Sequence, residues 1–86
     1  MRYESYKKLK NDFNIIKSFG YRPKTVVTLN NGHKIKGYLL NVNSNHLTIL
    51  KLNGKTISLS YTKIKKVLLI GLPKKILNRI SDKIII

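Results

Sequence analysis

Lysines recur along the middle of this sequence, and flat side chains that could stack on a nucleobase alternate with them. The flat side chains are Tyr38, His46 and Tyr61. Lysine side chains bind phosphates, and aromatic rings stack on unpaired bases for about 1–3 kcal/mol per base. Because bases are splayed out mainly in unpaired strands, single-stranded RNA is the expected ligand. The lysines are Lys24, Lys34, Lys36, Lys51, Lys55, Lys63, Lys65 and Lys66.

Each of these assignments has a plainer alternative. Any one lysine, taken singly, is better explained as part of a solvated strand face. Tyr38 fits packing on the outside of a sheet as well as it fits ligand contact. The prediction therefore depends on the whole set and on the charge of the chain.

The charge of the chain is strongly one-sided. Its 86 residues include 18 Lys and Arg but only 3 Asp and Glu, for a net charge of +15. The acids are Glu4, Asp12 and Asp82, so residues 24–70 contain none. Such an excess attracts polyanions, among which nucleic acid is the commoner partner and an anionic membrane surface the rarer one. A merely soluble basic domain is the minority interpretation.

The same composition argues against an enzyme. No Gly-x-Ser-x-Gly or Walker-type motif is present, and three acids provide little material for acid–base catalysis or for hard cations. His33 and His46 lack nearby acids or thiols, so we expect neither a metal nor a cofactor. The absence of cysteine suits a reducing compartment. With no long apolar segment, we expect a cytoplasmic protein without a signal peptide or a membrane span.

Two Asn-Gly pairs indicate how the basic stretch is organised. Asn31-Gly32 and Asn53-Gly54 each lie between β-rich alternating segments, which predicts hairpins with type I′ turns. We therefore predict a small five-stranded antiparallel barrel over residues 24–70, with strands at about 24–30, 33–41, 46–52, 55–60 and 64–70. Gly37 falls where a core side chain is expected, which indicates a bulge or a sharp bend.

An amphipathic helix is predicted before the barrel, over residues 3–19. Its apolar positions recur at three- and four-residue spacing and could close one end of the barrel. Its lysines lie largely on the other face, and Gly20 fits a C-terminal stop. The apolar positions are Tyr6, Leu9, Phe13 and Ile16, and the lysines are Lys7, Lys8, Lys10 and Lys17.

A basic and apolar tail, residues 72–86, follows a domain that spans residues 1–71. The tail is either a short helix packed on the barrel or loosely ordered, and we expect its terminal isoleucines to pack on something. Residues 67–70, in the last strand, are apolar on both faces, which invites aggregation at a solvated edge unless a partner subunit covers it. The helically spaced residues of the tail are Ile76, Leu77, Ile80 and Ile84.

The order of these features resembles the Sm-like family of small RNA-binding barrels. Residues 57–67 are more similar to its Hfq branch of bacterial RNA chaperones, in which a tyrosine-lysine-histidine turn precedes the last strand. Tyr61 and Lys63 match that turn, its histidine is absent, and His46 stands where the family has a stacking aromatic. A second alignment would place Ile70-Gly71 at an Arg-Gly pair of other members. The first Sm motif is carried by Val27, Leu29, Asn31, Gly32, Ile35, Gly37 and Leu39.

The resemblance implies an SH3-like or Sm-like barrel that joins other copies in a closed ring, a hexamer or a heptamer. It implies a non-catalytic protein that binds single-stranded RNA as an RNA chaperone or riboregulator. On this interpretation the central binding face consists of Asn45, His46, Tyr61 and Lys63. Further phosphate contacts come from Lys7, Lys8, Lys10, Lys65 and Lys66.

Two alternatives stay open. A monomeric basic SH3-like module could bind a ribosomal or other protein partner as an assembly factor, and a monomeric mass in solution would favour it. A nucleoid-type DNA-binding protein is the second alternative. Tighter binding to duplex DNA than to single-stranded RNA at matched salt would favour that one.

Overall fold

The computed structural model describes residues 3–79 and 84–85, and the side chains of residues 6–79. Helix α1 (Tyr3–Ser18) begins the chain, and a single turn of 3-10 helix (Tyr61–Lys63) joins β4 to β5. A short helix α2 (Lys74–Leu77) and a two-residue strand β6 (Ile84–Ile85) follow. The other strands are β1 (Lys24–Leu29), β2 (Lys34–Val42), β3 (His46–Lys51), β4 (Thr56–Ser60) and β5 (Ile64–Ile70).

The strands form one open antiparallel sheet in the order β4-β3-β2-β1-β5-β6. The predicted fold class, mostly β with an N-terminal helix and a short C-terminal helix, is confirmed. Buried side chains from five strands, β1 to β5, meet in a single core, so the sheet wraps around it. These side chains include Val27, Leu39, Leu47, Leu59 and Val67.

Helix α1 covers this core with its apolar face. Leu9, Phe13 and Ile16 are buried, as their spacing predicted, and Ile76 of α2 is buried in the same core. Burying a side chain of this size stabilises the fold by about 1.5–3 kcal/mol. The helix ends one residue earlier than predicted, and Gly20 then turns the chain with a φ of 80°. The lysine-rich side of the helix is left toward solvent.

Both predicted hairpins are present, but the predicted turn type is wrong. A type I′ turn needs positive φ at two successive residues, whereas glycines alone have positive φ in the part of the chain that the structure describes. Each turn instead has three residues between a hydrogen-bonded pair, Leu29 with His33 or Lys51 with Lys55, and the last of the three is the glycine. The Gly32 N–H donates to the Leu29 carbonyl at 2.9 Å, and the Asn31 side chain accepts the His33 N–H at 3.0 Å.

The second hairpin repeats this arrangement. The Gly54 N–H donates to the Lys51 carbonyl at 3.0 Å, and the Asn53 side chain accepts the Lys55 N–H at 3.0 Å. In both loops the asparagine closes the turn with its side chain, and the following glycine supplies the left-handed conformation. The Asn-Gly signal was therefore correct for a different local reason.

Two residues interrupt the pairing of the sheet. The β2–β3 register passes from Leu39 to Asn41 and leaves Leu40 without a partner. The β1–β5 register passes from Lys66 to Ile64 and leaves out Lys65. A bulge adds one residue to one strand and shifts the side chains beyond it to the other face. This shift lets Ile64 and Val67, three residues apart, both point into the core.

Gly37 is paired regularly, so the bulge expected there lies three residues later. The glycine is required for another reason, because a Cβ atom at this position would collide with the carbonyl oxygen of Leu50 and lie 2.7 Å from a methyl carbon of Ile49. The backbone of β3 at Leu50 thus lies in the space that a side chain at position 37 would occupy. The sharp bend that the sequence indicated is consistent with this close approach.

The tail differs from a single helix. Helix α2 contains Ile76 and Leu77, but Ile84 belongs to β6, which pairs with β5. The predicted role of Ile80 lies outside the described residues, as does the packing of the terminal isoleucine side chains.

We expect Gly37→Ala to lower the free energy of unfolding by roughly 1–3 kcal/mol, because the new methyl group meets backbone rather than a movable side chain. Urea unfolding followed by circular dichroism would measure the change. The adjacent Lys36→Ala, on an exposed side chain, is the matched control and should change the stability by less than about 0.5 kcal/mol. Equal effects of the two variants would contradict the close approach.

Candidate nucleic-acid interface

The described surface of the protein contains cations and no exposed carboxylate. Asp12 is the one acid among the side chains of residues 6–79, and it is only 2% exposed. The basic residues in the same range are mostly exposed. A surface of one sign raises the local concentration of anions around it and favours phosphate-rich ligands.

Two loops meet beside helix α1 and form the most structured polar region of this surface. The Tyr61 hydroxyl donates to the Asn43 carbonyl at 2.6 Å, and the Asn45 carbonyl accepts the Tyr61 N–H at 3.2 Å. These bonds tie the β2–β3 loop to the turn between β4 and β5. We call Tyr6, Asn43, Asn45, His46 and Tyr61 the tyrosine–asparagine cluster.

Tyr61 is the buried centre of the cluster. It is 8% exposed, and its ring lies 5.4 Å from the ring of Tyr6 at an interplanar angle of 38°. Burial, and secondarily the neighbouring Tyr6, raises the pKa of the Tyr61 hydroxyl, which therefore stays protonated as a donor. The ring of Tyr61 is not offered to solvent for stacking. Its part in the predicted binding face is to position the two loops.

His46 and Asn45 remain the accessible members that sequence analysis predicted. Asn45 is exposed and His46 is half-buried at the start of β3. The Asn43 amide nitrogen lies 3.1 Å from His46 Nε2, and the Asn43 N–H donates to the His46 carbonyl at 2.9 Å. The side-chain contact orients the imidazole of His46, and the backbone bond closes the loop that carries the exposed amide of Asn45. An amide can both donate to and accept from a base edge.

Helix α1 adds cations on one flank of the cluster. The Lys10 ammonium lies 5.9 Å from the centre of the Tyr6 ring and 3.4 Å from its hydroxyl oxygen. Lys7, Lys10 and Tyr6 line one open depression on the surface. At 100° per residue, Lys8 lies about 100° further around the helix than Lys7. The structure therefore brings Lys7 and Lys10 to the cluster and separates Lys8 from it.

The predicted lysines of the last turn and strand lie in different places. Lys63 is exposed in the same turn as Tyr61, and that turn is held by Asn30, whose side chain donates to the Thr62 carbonyl at 2.8 Å. Lys65 is the exposed bulge residue of β5. Lys66 pairs with Thr28, which also pairs with Lys34, so it belongs to a row on the outer face of the sheet.

That outer face is a second basic surface, away from the buried centre of the cluster. Lys24 pairs with Tyr38 on one side and with Ile70 on the other, and Tyr38 in turn pairs with Leu50. Tyr38 is half-buried among these neighbours. Its neighbours include apolar side chains and a lysine. Both earlier interpretations of Tyr38, packing on the outside of the sheet and contact with a ligand, therefore stay open.

Sequence analysis missed two members of the cluster. Tyr6 was assigned to the apolar face of the helix, and Asn43 was given no role. Nothing local signals the bond between Asn43 and Tyr61, which are eighteen residues apart.

Within residues 3–79 and 84–85, no three potential metal ligands come together. None of the described helices has the length and apolar character needed to cross a membrane. Comparisons with protein-family models, with curated proteins and with solved structures find no match. The Sm-like resemblance of the sequence therefore stays a prediction.

We expect Tyr61→Phe to lower the free energy of unfolding by about 1 kcal/mol, because it leaves the Asn43 carbonyl without its donor. Thermal and urea unfolding would measure the loss. Tyr38→Phe is the matched control, since its hydroxyl forms no hydrogen bond among the described residues. A control that is equally destabilised would show that the Tyr61–Asn43 bond contributes nothing specific.

A pH dependence follows from the same hydroxyl. The folded pKa of Tyr61 is raised above its ordinary value of 10.0, so its contribution is complete below pH 10 and is lost as the pH rises toward the folded value. Above about pH 10, the stability of the wild-type protein should therefore fall more steeply with pH than that of Tyr61→Phe. Parallel pH profiles for the two proteins would contradict burial of this group.

Proposed function

We propose that this protein is a non-catalytic RNA-binding protein that binds single-stranded RNA and assembles with other copies of itself into an Sm-like ring, a hexamer or a heptamer. A role as an RNA chaperone or riboregulator, in the cytoplasm, is part of the proposal. The observation that carries it is the tyrosine–asparagine cluster, where a fixed imidazole and an exposed amide lie within a surface that has no exposed acid among its described residues.

The chemistry of the cluster supports RNA over other polyanions. Lys7, Lys10 and Lys63 supply cations for phosphates around it. His46 supplies a flat face for one base, and Asn45 supplies a donor and an acceptor for a base edge. Stacking on His46 and hydrogen bonding to Asn45 both need a base that is already unstacked, and unstacked bases are found mainly in single-stranded RNA.

Self-assembly is supported by the edges of the sheet. β4 ends the open sheet, and no described strand pairs with its outer edge. A free edge of this kind is a template for pairing with another chain, and a closed ring removes it.

One observation favours the monomeric basic module instead. β6 pairs with the outer edge of β5, so this edge is occupied within a single chain. A chain that covers its own edge needs no second subunit there. Native mass in solution distinguishes the two functions.

We expect His46→Ala to weaken binding to a single-stranded RNA by about tenfold, the equivalent of one lost base stack. Fluorescence anisotropy at fixed salt would measure the dissociation constant. His33→Ala is the matched control, because His33 is an exposed histidine in the β1–β2 turn, outside the cluster. Equal losses of RNA affinity in the two variants would contradict the assignment of His46. Tighter binding to duplex DNA than to single-stranded RNA would favour a nucleoid-type protein.

The helix lysines provide an independent test. We expect Lys10→Ala to reduce the slope of log affinity against log salt by about 0.7, the value for one phosphate contact on a single strand. Lys8→Ala, which removes the same charge from the other side of the helix, should leave the slope nearly unchanged. If both substitutions change the slope alike, the helix contributes only its net charge.

A further inference from the structure

The two edges of strand β5 are paired to very different extents. Its inner edge follows β1 through six residue pairs, from Lys24 with Ile70 to Leu29 with Ile64. Its outer edge has two residue pairs with β6, Val67 with Ile85 and Leu68 with Ile84. β6 therefore covers the middle of the edge and leaves both ends of this seven-residue strand unpaired by it.

The opposite end of the sheet has the complementary property. β4 pairs with β3 through five residue pairs, and its outer edge has no partner among the described strands. Its sequence, Thr-Ile-Ser-Leu-Ser, contains neither a charged residue nor a proline. Proteins ordinarily protect an exposed edge strand with charged residues or proline. Because β4 has neither, its sequence does not oppose pairing.

We infer that β6 and the β4 strand of a second copy compete for the outer edge of β5, so that the C-terminal strand controls self-assembly. The β4-to-β5 contact between copies is the one that the Sm-like resemblance implies, and it belongs to the self-assembly in the proposed function, on which the inference rests. The inference adds the control of this contact by β6. β4 is five residues long and could replace the two pairs of β6 with a longer ladder. Because the contact joins two different edges, it propagates from copy to copy, and the proposed ring is its closed form.

Exposed apolar surface supports a second copy as the occupant. Ile70, at the end of β5, is 39% exposed, although it belongs to a segment that is apolar on both faces. β6 pairs with residues 67 and 68 and does not reach it. A longer strand laid along the same edge would extend over this position, which removes apolar area from water.

The charge of the chain explains why such a cover is useful. Copies with a net charge of +15 repel one another, and the repulsion is relieved by salt or by a bound polyanion. Once the repulsion is relieved, an uncovered β5 edge is open to unspecific pairing with other chains. β6 protects the edge in the isolated chain and leaves when β4 of another copy arrives.

A reversible crosslink tests the competition in the full-length chain. The protein has no cysteine, so Leu68→Cys combined with Ile84→Cys introduces one pair at positions that lie opposite each other in the β5–β6 register. Native mass is measured by light scattering over a concentration series, in high salt and after nuclease treatment. The single variants Leu68→Cys and Ile84→Cys are the controls for the substitutions themselves.

We expect the oxidised double variant to keep the mass of one subunit at concentrations where the wild type and the reduced variant assemble. We also expect Ile84→Pro combined with Ile85→Pro, which weakens β6 pairing, to assemble at a concentration at least about tenfold lower than the wild type. Assembly of the oxidised variant at the wild-type concentration would overturn the inference. So would a single-subunit mass for the proline variant at every concentration.

Binding to a single-stranded RNA, measured on the same samples, separates this inference from the proposed function. If the crosslink and the proline substitutions leave assembly unchanged but RNA binding is retained, the inference alone is overturned. If assembly responds to the crosslink and the proline substitutions as expected but the protein does not bind RNA, the RNA-binding proposal is overturned and the role of β6 is supported.

Discussion

The close approach of strands β2 and β3 at Gly37 is the constraint on which the rest of the molecule depends. No side chain fits between Gly37 and the Leu50 carbonyl, so only glycine allows the two paired strands to keep this arrangement. The fold places the β2–β3 loop against the turn after β4 and both beside helix α1. These contacts bring Tyr61 next to the Asn43 carbonyl and the Tyr6 ring. The way the sheet wraps around its core thus brings the parts of the candidate interface together.

The tyrosine–asparagine cluster combines structure and recognition in adjacent residues. Tyr61 and Tyr6 are largely committed to packing, and the buried hydroxyl holds the loop that carries His46 and Asn45. Such support costs conformational freedom once, during folding, and leaves less to lose when a ligand binds. The surrounding lysines differ from these residues, because their side chains are long and exposed and any one of them supplies only part of the positive charge. Affinity can therefore come from many weak charges while orientation comes from a few fixed groups.

Much of this arrangement was predictable because it is encoded locally. The helix followed from the spacing of Leu9, Phe13 and Ile16, and the hairpins from the two Asn-Gly pairs. The features that were not predicted depend on residues far apart in sequence. The bulge at Lys65 follows from the need to bury both Ile64 and Val67, and the burial of Tyr61 depends on a helix about fifty residues earlier.

The turn type shows a different limit. Asn-Gly predicts a change of direction correctly, but the number of loop residues decides which residue adopts positive φ, and the same dipeptide suits both solutions. The short strand β6 was missed because the spacing of the tail isoleucines fits a helix, and two residues are too few for a strand pattern. For His46 and the lysines, sequence provided the residue types, and the structure decides which of them are neighbours.

The order of the strands also has a consequence for how the chain folds. β1 to β4 are neighbours both in sequence and in the sheet, so each pairing closes only a short loop. β5 returns to β1 and joins Val27 to Val67, forty residues apart, which is the costly loop closure of the fold. We therefore expect the four-stranded meander to form early and β5 to dock late. During synthesis the meander would wait for its fifth strand, with the β1 edge that β5 later occupies still open to solvent.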